Sequence, residues 1–143
     1  MTRERLPVDR QGVTKRIHLT YAREDKIKDL KIYITTGEYA DGRPGELFIK
    51  ADKSGTTIAG LLDSLSVTTS LALQSGVPLE TLMDKWANMR FEPSGTTSDP
   101  KLPRVTSIVD AISQWLRIRY CGKEVRSCIS TKEEGCDCSS LHV

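Results

Sequence analysis

The residues that could most clearly bind a ligand lie in two polar loops, each of which contains the sequence Ser-Gly-Thr-Thr. The first repeat spans residues 54–57 and follows Lys53, and the second spans 94–97 and comes just after Arg90 and Phe91. Small residues with outward backbone N–H groups and a nearby cation suit the oxygens of a phosphate. The same residues are typical of an ordinary strand-to-helix loop with a threonine cap, so both interpretations stay open.

A phosphate site built from these loops predicts a role for each residue type. The ammonium and hydroxyls of the first loop would hold phosphates, the second loop would form a second clamp, and a base would stack on an aromatic ring (Tyr39, Phe48 or Phe91). Structural roles for the same residues are a turn cap for Arg43 and a core position for Phe48 and Phe91. The predicted ligand-binding residues are Arg43, Lys53, Ser54, Gly55, Thr56, Thr57, Arg90, Phe91, Ser94, Gly95 and Thr96.

The cysteines are the second group of residues that could do chemistry. All four lie in the last quarter of the chain: Cys121, Cys128, Cys136 and Cys138. In an intracellular chain they favour thiols or metal ligands over disulfides. A zinc ribbon has two close cysteine pairs, whereas here only Cys136 and Cys138 are close. The pair therefore predicts a mobile redox dithiol or a zinc site in the tail, and a tail without function is the third interpretation.

The bulk composition limits the function classes. The chain has 143 residues, of which 38% are hydrophobic and 28% charged, with a net charge of +2. This describes one soluble domain with a core, and its weak field predicts neither membrane association nor nonspecific nucleic-acid binding. The helix pair joined at Gly76 and Pro78 lacks a basic recognition face, so we expect no specific DNA binding. There is no apolar run of about 20 residues, so we expect a cytoplasmic protein. Neither His18 nor His142 lies in a ligand-like or triad-like pattern.

Periodicity predicts the elements that position the two loops. Residues 13–19, 30–34 and 47–49 are predicted to be strands. Helical spacing begins at Thr57, after Pro78 and near Thr106–Ser107, where Asp110 completes a capping box. Gly76 is expected to end the first helix as a C-cap glycine does. Residues 22–29 are a charge run and 90–104 a polar stretch, and both are expected to be loops. The fold class is α+β, a small antiparallel sheet of about three strands packed against about three α-helices.

This fold predicts particular packing and boundaries. The α+β domain spans residues 1–120, with an extended arm at 1–12, and a cysteine-containing tail occupies 121–143. Apolar surface left on the helices predicts a homo-oligomer. The leucines of the first helix are expected to face the inner side of the strands: Leu61, Leu62 and Leu65 against Ile32, Ile34, Phe48 and Ile49.

Several longer stretches carry a resemblance to a known family. They are Arg-Glu-Arg-Leu-Pro at 3–7, Asp-Gly-Arg-Pro-Gly-Glu-Leu-Phe-Ile at 41–49, Leu-Gln-Ser-Gly-Val-Pro-Leu-Glu at 73–80, Arg-Phe-Glu-Pro-Ser-Gly at 90–95, Ser-Ile-Val-Asp at 107–110 and Trp-Leu at 115–116. In this order and spacing, residues 3 to 116 closely resemble the C-terminal (TSCPD) region of adenosylcobalamin-dependent ribonucleotide reductases.

The resemblance implies a division of labour. In the full-length reductases a large barrel carries the radical chemistry, the cobalamin site and the substrate pocket. This chain is too short to hold that barrel, so we expect no enzyme activity from it alone. Those enzymes also end in a mobile cysteine pair that re-reduces the active site. Cys136 and Cys138 are similar in placement, although their spacing and flanking residues differ.

Two functional hypotheses follow. The first, which we prefer at this stage, is a noncatalytic binding module for a nucleotide or nucleotide-derived signal; a stand-alone copy, for example from a phage genome, would sequester such a signal. The alternative is an accessory or redox-tail module that acts with a separate catalytic subunit of a B12-dependent ribonucleotide reductase.

Overall fold

The computed structural model describes residues 2–52 and 56–121. Its elements follow the chain as β1 (Gly12–Arg23), β2 (Lys26–Glu38), β3 (Pro44–Ala51), α1 (Thr57–Gln74), α2 (Leu79–Trp86), β4 (Gly95–Thr97), β5 (Arg104–Val105) and α3 (Ile108–Cys121). The strands form a sheet in the order β3-β2-β1-β4-β5. The predicted α+β class with three helices is confirmed, and the sheet has five strands because the expected loop at 90–104 contains β4 and β5. None of the described helices is long and apolar enough to cross a membrane.

The sequence predicts a loop for the charge run at 22–29. In the structure this run is instead the tip of a long hairpin. β1 ends at Arg23 and β2 begins at Lys26, so only Glu24 and Asp25 form the turn. Both turn residues have positive φ, 52° and 59°. Two-residue turns of this kind match the right-handed twist of the flanking strands, which explains why a charged stretch continues the ladder.

The residues divide into two compact units, the first formed by Met1–Leu19 and Asp29–Leu79 and the second by Thr20–Lys28 and Glu80–Val143. In the first unit, β2 and β3 pair antiparallel with Ile34 opposite Ile49. The alternating residues of its strands that point inward form the core. They include Ile17, Leu19, Leu30, Ile32, Ile34, Leu47 and Ile49, which are all buried.

Helix α1 contacts strand β3 through hydroxyl groups. The N–H of Ile49 donates to the Ser66 Oγ at 2.9 Å, and the N–H of Leu47 donates to the Ser70 Oγ at 3.0 Å. The Ser70 hydroxyl also lies 3.2 Å from the Leu47 carbonyl oxygen. Because β3 is an outer strand of the sheet, these hydroxyls pair backbone groups that no described strand reaches.

This contact sets the rotation of α1 and corrects part of the predicted packing. Leu62 is buried with Ile32, Ile34 and Ile49, as expected, but Leu61 and Phe48 are exposed. The prediction assumed that the leucines would define the inner face of the helix. The inner face instead carries Leu62, Ser66, Thr69 and Gln74, because the serines must reach the backbone of β3.

The ends of α1 follow their predicted capping. The Thr56 hydroxyl accepts a hydrogen bond from the N–H of Ala59, and Gly76 follows the helix with φ of +98°, a conformation that favours glycine. Residues 2–11 form neither helix nor strand. This segment is attached to the end of α1, because the N–H of Glu4 donates to the Gln74 carbonyl oxygen at 2.8 Å.

In the second unit, the carboxylate of Asp110 joins helix α3 to the loops on either side of β4 and β5. Asp110 is buried and accepts hydrogen bonds from the N–H of Asn88 (2.9 Å), the N–H of Thr106 (3.0 Å) and the side-chain amide of Gln114 (2.8 Å). Its own N–H donates to the Ser107 Oγ at 2.9 Å, as in the predicted capping box. One carboxylate therefore holds both ends of the segment that carries the second Ser-Gly-Thr-Thr repeat.

The contact between α1 and β3 predicts a difference between two serines on the same helix. Ser66→Ala should lower the free energy of unfolding by about 1–3 kcal/mol, because it leaves the buried N–H of Ile49 without a partner. Ser64→Ala is the matched control, since the Ser64 hydroxyl is exposed and bonds only to the Gly60 carbonyl, and it should change stability by less than about 0.5 kcal/mol. Urea unfolding measures both; equal stabilities of the two variants would contradict the role given to Ser66.

Removal of the Asp110 carboxylate should destabilise the second unit. Asp110→Ala leaves three donors without their acceptor, and we expect a loss of roughly 3 kcal/mol or more. Asp9→Ala, which removes an exposed carboxylate, is the control. Hydrogen exchange of the Asn88 and Thr106 amides provides a local readout, and unchanged protection in Asp110→Ala would show that the carboxylate does not hold this segment.

Candidate functional site

The second unit contains a cavity of about 730 Å³ at the segment that carries the second repeat. Its lining combines two arginines, two aromatic rings and several hydroxyl groups. The lining residues are Thr20, Tyr21, Ala22, Ile27, Arg90, Phe91, Glu92, Ser94, Gly95, Thr96, Arg104, Val105 and Thr106.

The cavity brings together five residues that the sequence predicted as ligand-binding: Arg90, Phe91, Ser94, Gly95 and Thr96. These are the members of the predicted second clamp and its candidate stacking ring. Phe91 is exposed, so the alternative interpretation of Phe91 as a core residue does not hold. Binding itself stays a prediction for all five.

Sequence reasoning missed Arg104, Thr106 and Tyr21, which line the same cavity. The sequence predicts only that Arg104 ends a polar loop. The sequence does show a second arginine 14 residues after Arg90, but the residues around each arginine do not indicate that both line one cavity. The pairing of Thr96 with Arg104 between β4 and β5 brings Arg104 to the cavity that Arg90 also lines.

The electrostatic character of the cavity favours an anion. It holds the guanidinium groups of Arg90 and Arg104 and the single carboxylate of Glu92. Within the described parts of the chain, neither guanidinium has a hydrogen-bond or ion-pair partner. Two arginines with one carboxylate leave an excess positive charge beside the hydroxyls of Ser94, Thr96 and Thr106.

Backbone contacts hold the walls of this cavity in place. The N–H of Phe91 donates to the Thr106 carbonyl at 3.2 Å, and the Thr106 hydroxyl donates to the Met89 carbonyl at 2.9 Å. Gly95 lies against β1, where a side-chain carbon would overlap the carbonyl oxygen of Thr20. Only glycine allows this approach, so Gly95 has a packing role in addition to its predicted place in the site.

The other predicted loop lies in the first unit and is described only in part. Lys53, Ser54 and Gly55 lie outside the described residues. The Thr56 hydroxyl caps α1 at 3.2 Å from the Ala59 nitrogen, and Thr57 is the first residue of the helix. Thr56 therefore follows the capping interpretation, and neither threonine is among the residues that line the cavity of the second unit.

Arg43 is held by neighbours within the first unit. Its guanidinium lies 4.7 Å from the centre of the Tyr39 ring, and its Nε donates to Asp41 at 2.7 Å. Hydrogen bonds from the backbone N–H and the guanidinium of Arg43 lower the pKa of Asp41, whereas burial and then the Glu4 carboxylate raise the pKa of Tyr39. The turn-capping interpretation accounts for Arg43, and its ligand role stays a prediction.

The cysteine predictions fall mainly on residues beyond the described range. Cys136 and Cys138, the candidate redox or zinc pair, lie outside the described residues. Cys121 is buried at the end of α3 and is disulfide-bonded, where the sequence favoured a thiol or a metal ligand. Within residues 2–52 and 56–121, no group of three or more His, Cys, Asp or Glu side chains could hold a metal ion.

Comparisons with known proteins identify the family of the chain. A vitamin B12-dependent ribonucleotide reductase of Rhodopirellula baltica is 42% identical over 118 residues, one of Streptantibioticus cattleyicolor 41% over 127, and one of Agrobacterium fabrum 33% over 132. These alignments cover 82%, 89% and 92% of this chain but 11%, 20% and 10% of the relatives. The chain thus spans a tenth to a fifth of the length of the relatives that it matches.

No solved structure matches the chain significantly. The model of the TSCPD domain matches residues 5–120, which contain every described strand and helix except the last residue of α3. The chain therefore belongs to the TSCPD domain family.

Proposed function

We propose that this chain is a noncatalytic module of vitamin B12-dependent ribonucleotide reduction, acting with a catalytic polypeptide that supplies the reaction. The observation that carries the proposal is the similarity of nearly the whole chain to one small part of three such reductases. The activity in their names belongs to proteins of which this segment is a tenth to a fifth. A segment of that size is expected to contribute binding, positioning or redox supply.

This proposal predicts complementation of a reductase that lacks its own TSCPD region. The Rhodopirellula baltica enzyme with that region deleted should turn over more slowly than the intact enzyme, and adding this chain should restore at least part of the rate. Ribonucleotide reduction by the mixture measures the effect, with albumin as the protein control. A rate that this chain leaves unchanged, although the deleted enzyme remains folded, would contradict the proposal.

A double variant separates a docking role from a redox role in the same assay. Cys136→Ser with Cys138→Ser removes the predicted dithiol and should abolish the stimulation if the tail supplies reducing equivalents. Stimulation equal to that of the wild type would leave the docking role in place and reject the redox-tail version.

The cavity of the second unit favours a second candidate function, the binding of a nucleotide or nucleotide-derived anion. Arg90 and Arg104 provide two charged donors, Ser94, Thr96 and Thr106 provide hydroxyl groups, and Phe91 provides an exposed ring. Phosphates would contact the arginines, and a base would stack on Phe91. A binding role of this kind is compatible with the reductase module and requires no catalysis by this chain.

Substitutions at the two arginines test this candidate. Arg90→Ala and Arg104→Ala should each weaken the binding of ATP, used as the probe nucleotide, by about tenfold or more, because each removes a charge-assisted contact. Arg16→Ala removes an exposed arginine of β1 that does not line the cavity and should leave affinity unchanged. Isothermal titration calorimetry at two salt concentrations measures the effect. Equal affinities for wild type and both cavity variants would exclude this cavity as the nucleotide site.

A further inference from the structure

The exposed side of helix α1 carries several apolar residues and only one charged residue. Asp63 is the only charged residue among the 18 of this helix, and it pairs with Lys50 of β3 at 2.7 Å. Four large apolar side chains of the helix are exposed: Ile58 by 46%, Leu61 by 64%, Val67 by 61% and Leu71 by 41%. Surface helices normally present several charged residues to water, so a helix of 18 residues with one exposed charge and several exposed apolar side chains is typical of a helix that is covered by protein.

The small residues between these side chains give the face a shallow centre. A side-chain carbon built on Gly60 meets nothing within 4 Å, which leaves open space above the helix. The hydroxyls of Ser64 and Thr68 donate to carbonyl oxygens of their own helix, at 3.1 and 2.9 Å. Both donors are therefore used within the helix, and the face offers a partner mainly apolar contact.

The rotation of α1 explains why its apolar side chains point outward. Ser66 and Ser70 must face β3, because their hydroxyl oxygens accept hydrogen bonds from backbone N–H groups of that strand. A helix turned to bury Leu61 would leave those N–H groups unpaired, which is costly in a buried position. The apolar face is thus a fixed feature of the first unit, and its coverage has to come from another surface.

We infer that the outward face of α1, defined by Gly60, Leu61, Val67 and Leu71, docks on an uncharged apolar surface of the catalytic polypeptide of a vitamin B12-dependent ribonucleotide reductase. This inference rests on the proposed function and names the contact through which it operates. The relatives contain this segment within chains of which it is 10–20%, so the remaining length supplies a surface to cover the face. The absence of charge on the face requires a partner surface without unpaired charge, because a charge buried there would lose its hydration without compensation.

The test measures binding of this chain to the Rhodopirellula baltica reductase with its own TSCPD region deleted, by biolayer interferometry. Leu61→Glu places a charge in the centre of the face and should weaken binding at least tenfold. Val8→Glu is the matched control, because Val8 is 95% exposed, lies outside α1 and does not line the cavity of the second unit, and it should bind as the wild type does. Gly60→Trp is a second variant that adds bulk where space is open, and it should weaken binding without disturbing the core.

The outcomes separate the inference from the proposed function. If the wild type binds and Leu61→Glu and Gly60→Trp bind equally well, the face is not the docking surface, although the reductase role survives. If the wild type does not bind, both the role and the inference fail. Native mass measured in parallel identifies a further contrary outcome, in which the wild type is a homodimer that Leu61→Glu converts to a monomer; the face would then be a self-association surface.

Discussion

The backbone of the outer strand β3 needs hydrogen-bond partners, and the form of the first unit depends on how that need is met. Ser66 and Ser70 provide the partners, so α1 turns its hydroxyl-bearing side to the strand. Two consequences follow from this one constraint. The strand edge is closed to pairing with another strand at these positions, and the apolar residues on the far side of the helix are presented outward.

In the second unit, too, side chains pair backbone groups that have no partner in a helix or strand. The segment from Asn88 to Thr106 has little regular structure of its own, and its backbone is paired through the buried carboxylate of Asp110 and through Thr106. These hydrogen bonds, together with the burial of Leu102 and Val105, give a polar segment a defined shape. Arg90, Phe91 and Arg104 consequently line one cavity, although they lie at the two ends of the segment.

The two units present surfaces of different chemistry. The first has an uncharged helix face suited to another protein surface, and the second has a cavity with an excess of positive charge suited to an anion. The relatives that match this chain are about five to nine times longer than the matched segment. The two surfaces involve separate residues, so each can be altered without changing the other.

The sequence by itself determined the features that depend on neighbouring residues: the α+β class, the three helices with their caps at Thr56, Gly76 and Ser107, and the family. It also indicated the Arg90–Thr96 half of the candidate site, because its residues are adjacent in the chain. Only the tertiary structure decided the rotation of α1 and the place of Arg104 in the cavity. Both depend on hydrogen bonds between segments that are distant in sequence. Hydrophobic periodicity cannot reveal that a serine hydroxyl accepts a hydrogen bond from the backbone of a strand far away in the chain.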